Sequence, residues 1–358
     1  MKRLLVALTV VVAAGVGVAA AQPVPPAIPR AVTALRKAGA PGVVVAVAKN
    51  GSVSTVVTSG LADTARRALL DAGDHFRAGS ITKIFVATVV LELVGEGRLS
   101  LSDTVAKRLP GLVPNGARIT LRELLQHTSG LYDYTDDPRL FAPYLSGNLA
   151  YAWQPRQLVK LAVSHKPVWP PGRVWSYSNT NYVLLGLIVQ AVTKDTLGGE
   201  LERRILRPLG LHDTRFASGT QILPPAAHGY FDGRDISGLS GSSYWAAGAM
   251  VSTAGDLARF LSALLGGKLL RPQQLRTMET TRPINSGPNG YGLGLIHVVT
   301  SCGRAWGHNG IVPGYSSWAI SSPDGERQAI VLATSQAFPN AADYEAAINS
   351  LAQVAFCS

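Results

Sequence analysis

Residues 79–94 read Gly79-Ser80-Ile81-Thr82-Lys83 and then Ile-Phe-Val-Ala-Thr-Val-Val-Leu-Glu-Leu-Val, a loop that passes into an apolar segment. The apolar segment carries a single charge, which predicts a buried helix over 84–94. Ser80 and Lys83 are three positions apart and share one face of a helix. A lysine in an apolar environment has a lowered pKa and can take the proton of a serine hydroxyl, which makes the serine a nucleophile. The alternative is a capping serine and a solvated lysine.

Two further short motifs follow in the chain. Tyr177 and Asn179 lie in a loop before another apolar helix; a tyrosine beside a lysine can relay a proton, and an asparagine amide can hold both a lysine and a substrate carbonyl. His308, Asn309 and Gly310 lie where a strand is expected to begin, and a histidine there can offer a hydrogen bond or a positive charge to a carboxylate. Each motif alone is also compatible with a structural role, but their order along the chain favours a catalytic site.

The N-terminus resembles an export signal. Met1-Lys2-Arg3 precedes an uncharged stretch from Leu4 to Ala21, which ends in small residues. This pattern predicts a signal peptide over 1–21 that is cleaved near Ala21, and therefore a secreted or cell-wall protein; a retained anchor is the alternative. A Pro-rich linker is expected over 22–30 and a single domain over 31–358.

Charge and residue counts exclude several classes of partner. The formal net charge is +11, but the basic residues are scattered and no nucleic-acid-binding signature is present, so we expect no nucleic acid partner; anionic wall polymers or plain solvation account for the charge. The seven histidines have no paired ligand spacing, so neither a metal nor another cofactor is expected. Cys302 and Cys357 form an even pair, which in an exported protein predicts a disulfide.

Strand signals occur at both ends of the chain and helical signals between them. Hairpins are predicted from strands 43–48 and 53–59, and from strands 316–321 and 328–334. Between the hairpins, helices are predicted in the following segments: 84–94, 120–126, 155–164, 180–193, 198–206, 255–265 and 272–278. The pattern predicts an α+β fold in which both chain ends build one antiparallel sheet, a helical region is inserted over about 106–285, and a last helix over 341–355 packs on the sheet.

The chain resembles the penicillin-recognising serine hydrolases, in the branch that contains class C β-lactamases, D-aminopeptidases, family VIII esterases and soluble actinobacterial D-alanyl-D-alanine carboxypeptidases. The resemblance covers nearly all of the chain after residue 21 and implies the β-lactamase/transpeptidase-like fold. Besides the three motifs above, it rests on the following segments: 124–131 (Leu-Leu-Gln-His-Thr-Ser-Gly-Leu), 177–182 (Tyr-Ser-Asn-Thr-Asn-Tyr), 208–211 (Pro-Leu-Gly-Leu), 247–253 (Ala-Gly-Ala-Met-Val-Ser-Thr), 291–294 (Tyr-Gly-Leu-Gly) and 313–315 (Pro-Gly-Tyr).

The resemblance implies a role for each motif residue. Ser80 is the acylated nucleophile, Lys83 accepts its proton, and Tyr177 relays that proton to the leaving group. The other residues expected to bind substrate are Asn179, His308, Asn309, Gly310 and Trp245. The backbone N–H groups of Ser80 and Ile311 are expected to form the oxyanion hole. Tyr132 and Tyr134 are further pocket candidates, and His297 and Arg304 are the nearest basic candidates for binding a substrate carboxylate.

The third motif differs between the branches of the family. Class C β-lactamases have Lys-Thr-Gly and the soluble carboxypeptidases have His-Thr-Gly, so His308-Asn309-Gly310 is closer to the peptidases. This favours a D-alanyl-D-alanine carboxypeptidase that acts on peptidoglycan stem peptides, with β-lactams as acylating ligands. The alternatives are an esterase or D-amino-acid amidase that acts on another small acyl substrate, and a penicillin-binding sensor that acylates without turnover.

Overall fold

The computed structural model describes residues 9–10, 24–222, 224–284, 287–335 and 341–358. The predicted signal peptide over 1–21 lies almost entirely outside these residues. The strands have the following bounds: β1 Thr9–Val10, β2 Gly42–Lys49, β3 Ser52–Asp63, β4 Ala68–Leu69, β5 Phe76–Arg77, β6 Arg215–Phe216, β7 Tyr230–Phe231, β8 Arg234–Asp235, β9 Met250–Ser252, β10 Arg282–Pro283, β11 Gly290–Tyr291, β12 Ile296–Thr300, β13 Gly303–Val312, β14 Tyr315–Ser321 and β15 Arg327–Thr334.

Most of the helices lie in the part of the sequence between the N-terminal and the C-terminal strands, and short turns separate them. Their bounds are α1 Ala27–Lys37, α2 Thr82–Gly95, α3 Val105–Arg108, α4 Leu121–Leu125, α5 Ala142–Leu145, α6 Pro155–Val163, α7 Asn179–Thr193, α8 Leu197–Leu201, α9 Arg207–Leu209, α10 Ala254–Leu265, α11 Pro272–Met278 and α12 Ala341–Phe356. Within the described ranges, no helix is both long and apolar enough to span a bilayer.

One large antiparallel sheet dominates the fold. Its strands follow the order β1-β3-β2-β15-β14-β13-β12-β11-β10, so the N-terminal hairpin pairs with the C-terminal hairpin through β2 and β15. This confirms the sheet predicted from both chain ends. At the first hairpin turn, Asn50 and Gly51 have φ of 52° and 76°, the left-handed conformation that an Asn-Gly hairpin turn requires.

The sheet is covered on both faces where β2 and β15 lie at its centre, because these two strands are apolar along most of their length. On β2, Val44 and Ala46 join the core beneath α2 and α10, whereas Val43 and Val45 join the core covered by α1 and α12. Alternate side chains of a strand point to opposite faces, so one strand contributes to both cores. The predicted C-terminal helix is confirmed as α12, and it packs on β14 and β15.

Three local predictions need correction. Helix α1 begins at Ala27 and buries Ile28, so packed structure starts inside the expected linker 22–30. The predicted helix 198–206 is α8 followed by a turn of π-helix over Glu202–Leu206. The third motif lies in the middle of β13, which begins at Gly303, and not at the start of a strand.

The predicted disulfide is present. Cys302, in the turn between β12 and β13, is bonded to Cys357 just after α12, with the two Cα atoms 5.5 Å apart. The bond therefore ties the C-terminal helix to the strand pair that carries the third motif.

Reducing this disulfide should destabilise the fold. Closing a loop over a sequence separation of 55 stabilises by about 4 kcal/mol in the chain-entropy model. We expect a lower urea midpoint for the protein in reductant, and no reductant effect on the Cys302→Ser/Cys357→Ser variant. Equal midpoints for the wild-type protein with and without reductant would contradict the expectation.

Candidate active site

Ser80 lies in a tight turn immediately before α2. The turn Gly79–Ile81 is a 3₁₀ helix, and Gly79 has a φ of +54°. Thr82 fixes the turn from inside, since its Oγ1 donates to the Gly79 carbonyl at 2.7 Å and accepts from the Met250 N–H at 3.0 Å. The loop is thereby held against β9, and its turn also contacts β13 and β14 of the large sheet.

Lys83 is fully buried beneath Ser80 and has three polar neighbours. Its Nζ lies 2.9 Å from Ser80 Oγ, 2.8 Å from Asn179 Oδ1 and 2.8 Å from the Ala247 carbonyl oxygen. Burial lowers the pKa of Lys83 to about 7, and the Asp133 carboxylate opposes this shift. A neutral amine can donate two hydrogens to the two carbonyl-type oxygens, which leaves its lone pair facing the Ser80 hydroxyl.

Tyr177 and Asn179 complete the polar cluster. The Tyr177 hydroxyl donates to Ser80 Oγ at 2.8 Å, and burial raises the pKa of Tyr177, so its proton is retained at neutral pH. Asn179 Nδ2 donates to Asp133 Oδ2 at 2.9 Å and to Thr135 Oγ1 at 3.3 Å, which orients the amide oxygen towards Lys83. Asp133 and Thr135 lie in a polar loop that had no sequence signal for this contact.

Strand β13 presses its backbone against the Ser80 turn. A Cβ on Gly310 would lie 2.0 Å from the Ala78 carbonyl oxygen, and one on Gly79 would lie 2.9 Å from the Ile311 nitrogen. Only glycine allows this approach. The Ile311 peptide nitrogen thus lies beside the Ser80 turn, as an oxyanion hole built from these two residues requires.

The structure buries His308 and hydrogen-bonds both of its ring nitrogens to other protein groups, contrary to the expectation that it binds a carboxylate. The side chain is buried, and its Nε2 lies 3.0 Å from the Tyr291 hydroxyl, while Nδ1 lies 2.5 Å from the Asn309 carbonyl oxygen. Burial and the nearby Lys83 lower the pKa of His308 to about 3. His308 is therefore neutral and already hydrogen-bonded on both ring nitrogens.

A cleft of about 460 Å³ opens above Ser80. Apolar and aromatic groups form most of its wall, as in many small-molecule sites. Its lining consists of Ser80, Trp175, Tyr177, Asn179, Tyr244, Ile284, Asn289, Tyr291, Ile296, Asn309, Ile311, Trp318 and Glu345. In this lining, which is drawn from the described residues, there is no arginine, lysine or histidine, and Glu345 is the one acidic side chain.

Several predicted pocket residues lie elsewhere. Trp245 is buried against Gly186 of α7, and its neighbour Tyr244 lines the cleft instead. Tyr134 is buried and donates to the Ser243 carbonyl, and Tyr132 stacks on His165.

The two basic candidates for carboxylate binding are also outside the cleft. His297 packs its ring against Trp306, and Arg304 is exposed at the far end of β13. Over the described part of the chain, no group of three or more His, Cys, Asp or Glu side chains could hold a metal ion.

The chain is similar to known proteins over most of its length. The model of the Beta-lactamase family matches residues 28–353. Penicillin-binding protein 4* of Bacillus subtilis is 27% identical over 334 residues, which are 86% of this chain and 71% of that protein.

Solved structures show the same similarity. A D-stereospecific amidohydrolase from Streptomyces sp. is 36% identical and superimposes with a TM-score of 0.80 over 90% of this chain and 97% of its own. The D-amino acid amidase of Ochrobactrum anthropi SV3 is 26% identical, with a TM-score of 0.81 over 92% of this chain and 97% of its own.

These matches and the fold define a serine hydrolase of the penicillin-binding protein and β-lactamase class. The chain belongs to the Beta-lactamase family.

The pKa of Lys83 gives the site a pH signature. A lysine accepts a proton only when neutral, and its neutral fraction grows as the pH rises through a pKa of about 7. We expect the rate of Ser80 acylation by an active ester, followed by stopped-flow absorbance, to rise through this pH. The Lys83→Gln variant should lose the rise; an unchanged profile in that variant would assign the titration to another group.

Proposed function

We propose that the chain hydrolyses amides and esters of D-amino acids that have a free amino group, through an acyl-enzyme on Ser80. The observation that carries the proposal is the charge of the cleft. A substrate with a terminal carboxylate needs a cationic partner, and the described lining offers none. The exposed Glu345 carboxylate at the rim instead favours an ammonium group.

In the proposed mechanism, Ser80, Lys83 and Tyr177 carry out acyl transfer in two steps, acylation and deacylation. Ser80 Oγ attacks the substrate carbonyl carbon while its proton passes to the neutral Lys83 amine. The C–N or C–O bond then breaks as Tyr177 donates its hydroxyl proton to the departing amine or alcohol, and the Lys83 ammonium returns a proton to Tyr177. Water hydrolyses the acyl-enzyme and releases the acid. The N–H groups of Ser80 and Ile311 stabilise the oxyanion in both steps.

The two structural neighbours support this substrate class by their names, D-stereospecific amidohydrolase and D-amino acid amidase. The D-alanyl-D-alanine carboxypeptidase expected from the sequence is the second candidate, supported by the similarity to penicillin-binding protein 4*. A non-turnover sensor is the third candidate, and sustained product release would exclude it.

Export from the cell is also a proposal. The charged start and apolar stretch over 1–21 support it, as does the Cys302–Cys357 disulfide, since disulfides persist in oxidising compartments.

The proton path predicts large losses of rate. Lys83→Ala and Tyr177→Phe should each lower kcat for D-phenylalanine amide by about 100- to 10,000-fold, because each removes a group assigned to proton transfer. Binding of the product D-phenylalanine, measured by calorimetry, should change far less. A variant that alters only KM would remove its residue from the proton path.

The cleft charge predicts which substrates are turned over. We expect D-phenylalanine amide to be hydrolysed with a higher kcat/KM than its N-acetyl derivative or a diacetylated D-Ala-D-Ala peptide. Because Glu345 is exposed, its ion pair is worth at most about 1 kcal/mol, so Glu345→Gln should reduce kcat/KM for the free-amine substrate by up to about five-fold. The N-acetyl substrate should be unaffected.

Asp343→Asn is the matched control, since Asp343 is an exposed carboxylate on the same helix but outside the cleft. Equal effects of the two variants would remove Glu345 from substrate binding. Faster turnover of the D-Ala-D-Ala peptide than of the amide would favour the carboxypeptidase.

A further inference from the structure

We propose that His127, Tyr291 and His308 form a directional hydrogen-bond chain that positions two groups beside Ser80, the Tyr177 hydroxyl and the backbone of β13 that forms the oxyanion hole. All three are positioning residues in this proposal, and His308 does not bind the substrate carboxylate. The inference rests on acyl transfer at Ser80 as proposed above, but it holds for any acyl donor.

The hydrogen-bond partners of His127 fix its tautomer. Its Nδ1 lies 3.1 Å from the backbone nitrogen of Ser178 and 3.0 Å from Asn181 Nδ2. A backbone N–H can only donate, so Nδ1 is an acceptor and the ring proton is on Nε2. Asn181 must then turn its Nδ2 towards this acceptor, which leaves its Oδ1 to accept from Ser129 Oγ at 2.5 Å. The Nε2–H of His127 therefore donates to the Tyr291 hydroxyl, 3.1 Å away.

His308, at the other end of the hydrogen-bond chain, is the opposite tautomer. His308 Nδ1 faces the Asn309 carbonyl at 2.5 Å, and a carbonyl can only accept, so Nδ1 has the proton. His308 Nε2 is then the acceptor of the Tyr291 hydroxyl at 3.0 Å. Tyr291 accepts a hydrogen bond from His127 and donates one to His308, so all the hydrogen bonds in this series run in one direction, from His127 to the Asn309 carbonyl. Burial also keeps both histidines neutral by lowering the pKa of each.

His127 holds Tyr177 from three sides. The N–H of Ser176 donates to the His127 carbonyl at 2.8 Å, and the N–H of Ser178 donates to its ring. The imidazole also stacks on the Tyr177 ring, with 4.3 Å between centroids. His127 has a φ of +56°, a conformation that is uncommon for a residue other than glycine. Strain of this kind persists where the surroundings impose it, often at functional sites.

The His308 end acts on the oxyanion side. Its Nδ1–H orients the Asn309 peptide, and Asn309 is followed by Gly310 and Ile311, whose backbone presses on the Ser80 turn. The chain thus connects the donor of the leaving-group proton to the proposed oxyanion hole through one hydroxyl, that of Tyr291. Small misplacements of such groups are costly, of the order of 100-fold in rate for about 1 Å.

The wild-type protein gives the first test. Nitrogen-15 NMR of the histidine rings should find His127 as the Nε2–H tautomer and His308 as the Nδ1–H tautomer at neutral pH. Both assignments are needed: the same tautomer in both rings, or averaging between tautomers, would overturn the proposal without any variant.

The second test removes the central hydroxyl. Tyr291→Phe keeps the ring but breaks both links, and we expect kcat to fall by about 10- to 100-fold with little change in KM. Tyr315→Phe is the matched control. The Tyr315 hydroxyl is also buried and donates to the Ala227 carbonyl at 3.0 Å, but it belongs neither to the cleft lining nor to the hydrogen-bond chain. The proposal is supported if the two variants have similar melting temperatures and only Tyr291→Phe has a lowered kcat. Equal kcat values in the two variants would refute it.

A third measurement separates this proposal from the substrate class. The proposal predicts that Tyr291→Phe slows acylation by p-nitrophenyl acetate, because that carbonyl also uses the oxyanion hole. The loss should be smaller than for an amide, because p-nitrophenolate leaves without a proton from Tyr177. His308→Lys should be as impaired as His308→Ala, because an ammonium cannot accept from Tyr291. If Lys restored activity on a carboxylate-bearing peptide, His308 would be a substrate ligand and the proposal would be wrong.

Discussion

The fold around the site depends on burying one amine without leaving its hydrogens unpaired. Lys83 lies inside the apolar helix α2, where an unpaired charge would be strongly destabilising. Oxygens from Ser80, Asn179 and Ala247 surround its Nζ and come from three separate parts of the chain. Each segment must be in place for the amine to be satisfied, so the same contacts that make burial tolerable also assemble the catalytic cluster.

The two-faced sheet supports this arrangement with rigid backbone. Strand β2 is covered on both faces, and β15 and β14 extend the sheet to β13, whose edge meets the Ser80 turn. The disulfide joins the end of α12 to the turn before β13, so the helix that carries Glu345 is fixed relative to the strand that carries Ile311. The Glu345 carboxylate at the cleft rim and the backbone N–H groups beside Ser80 are therefore held in fixed positions relative to each other.

Much of the fold was predictable because its signals are local. A continuous apolar run followed by an Asn-Gly turn predicted the first hairpin, and an apolar run with a single charge predicted the buried helix α2. Helix α1 was missed although Ile28, Val32 and Leu35 have helical spacing, because the preceding prolines suggested a linker. Strand β12 was missed because it is short, although its buried and exposed residues alternate.

By itself, the sequence determined which reactive groups are present and their order. A serine lies three positions before a lysine, a tyrosine and an asparagine lie at the start of an apolar helix, and a His-Asn-Gly segment lies in a strand. Only the tertiary structure decided what each group faces. His308 is a neutral link in a buried hydrogen-bond chain because its ring is shielded from solvent and contacts Tyr291, which in turn contacts His127 from a distant part of the sequence. Glu345 reaches the cleft because α12 packs on β14. Charge state and exposure depend on neighbours that folding alone brings together.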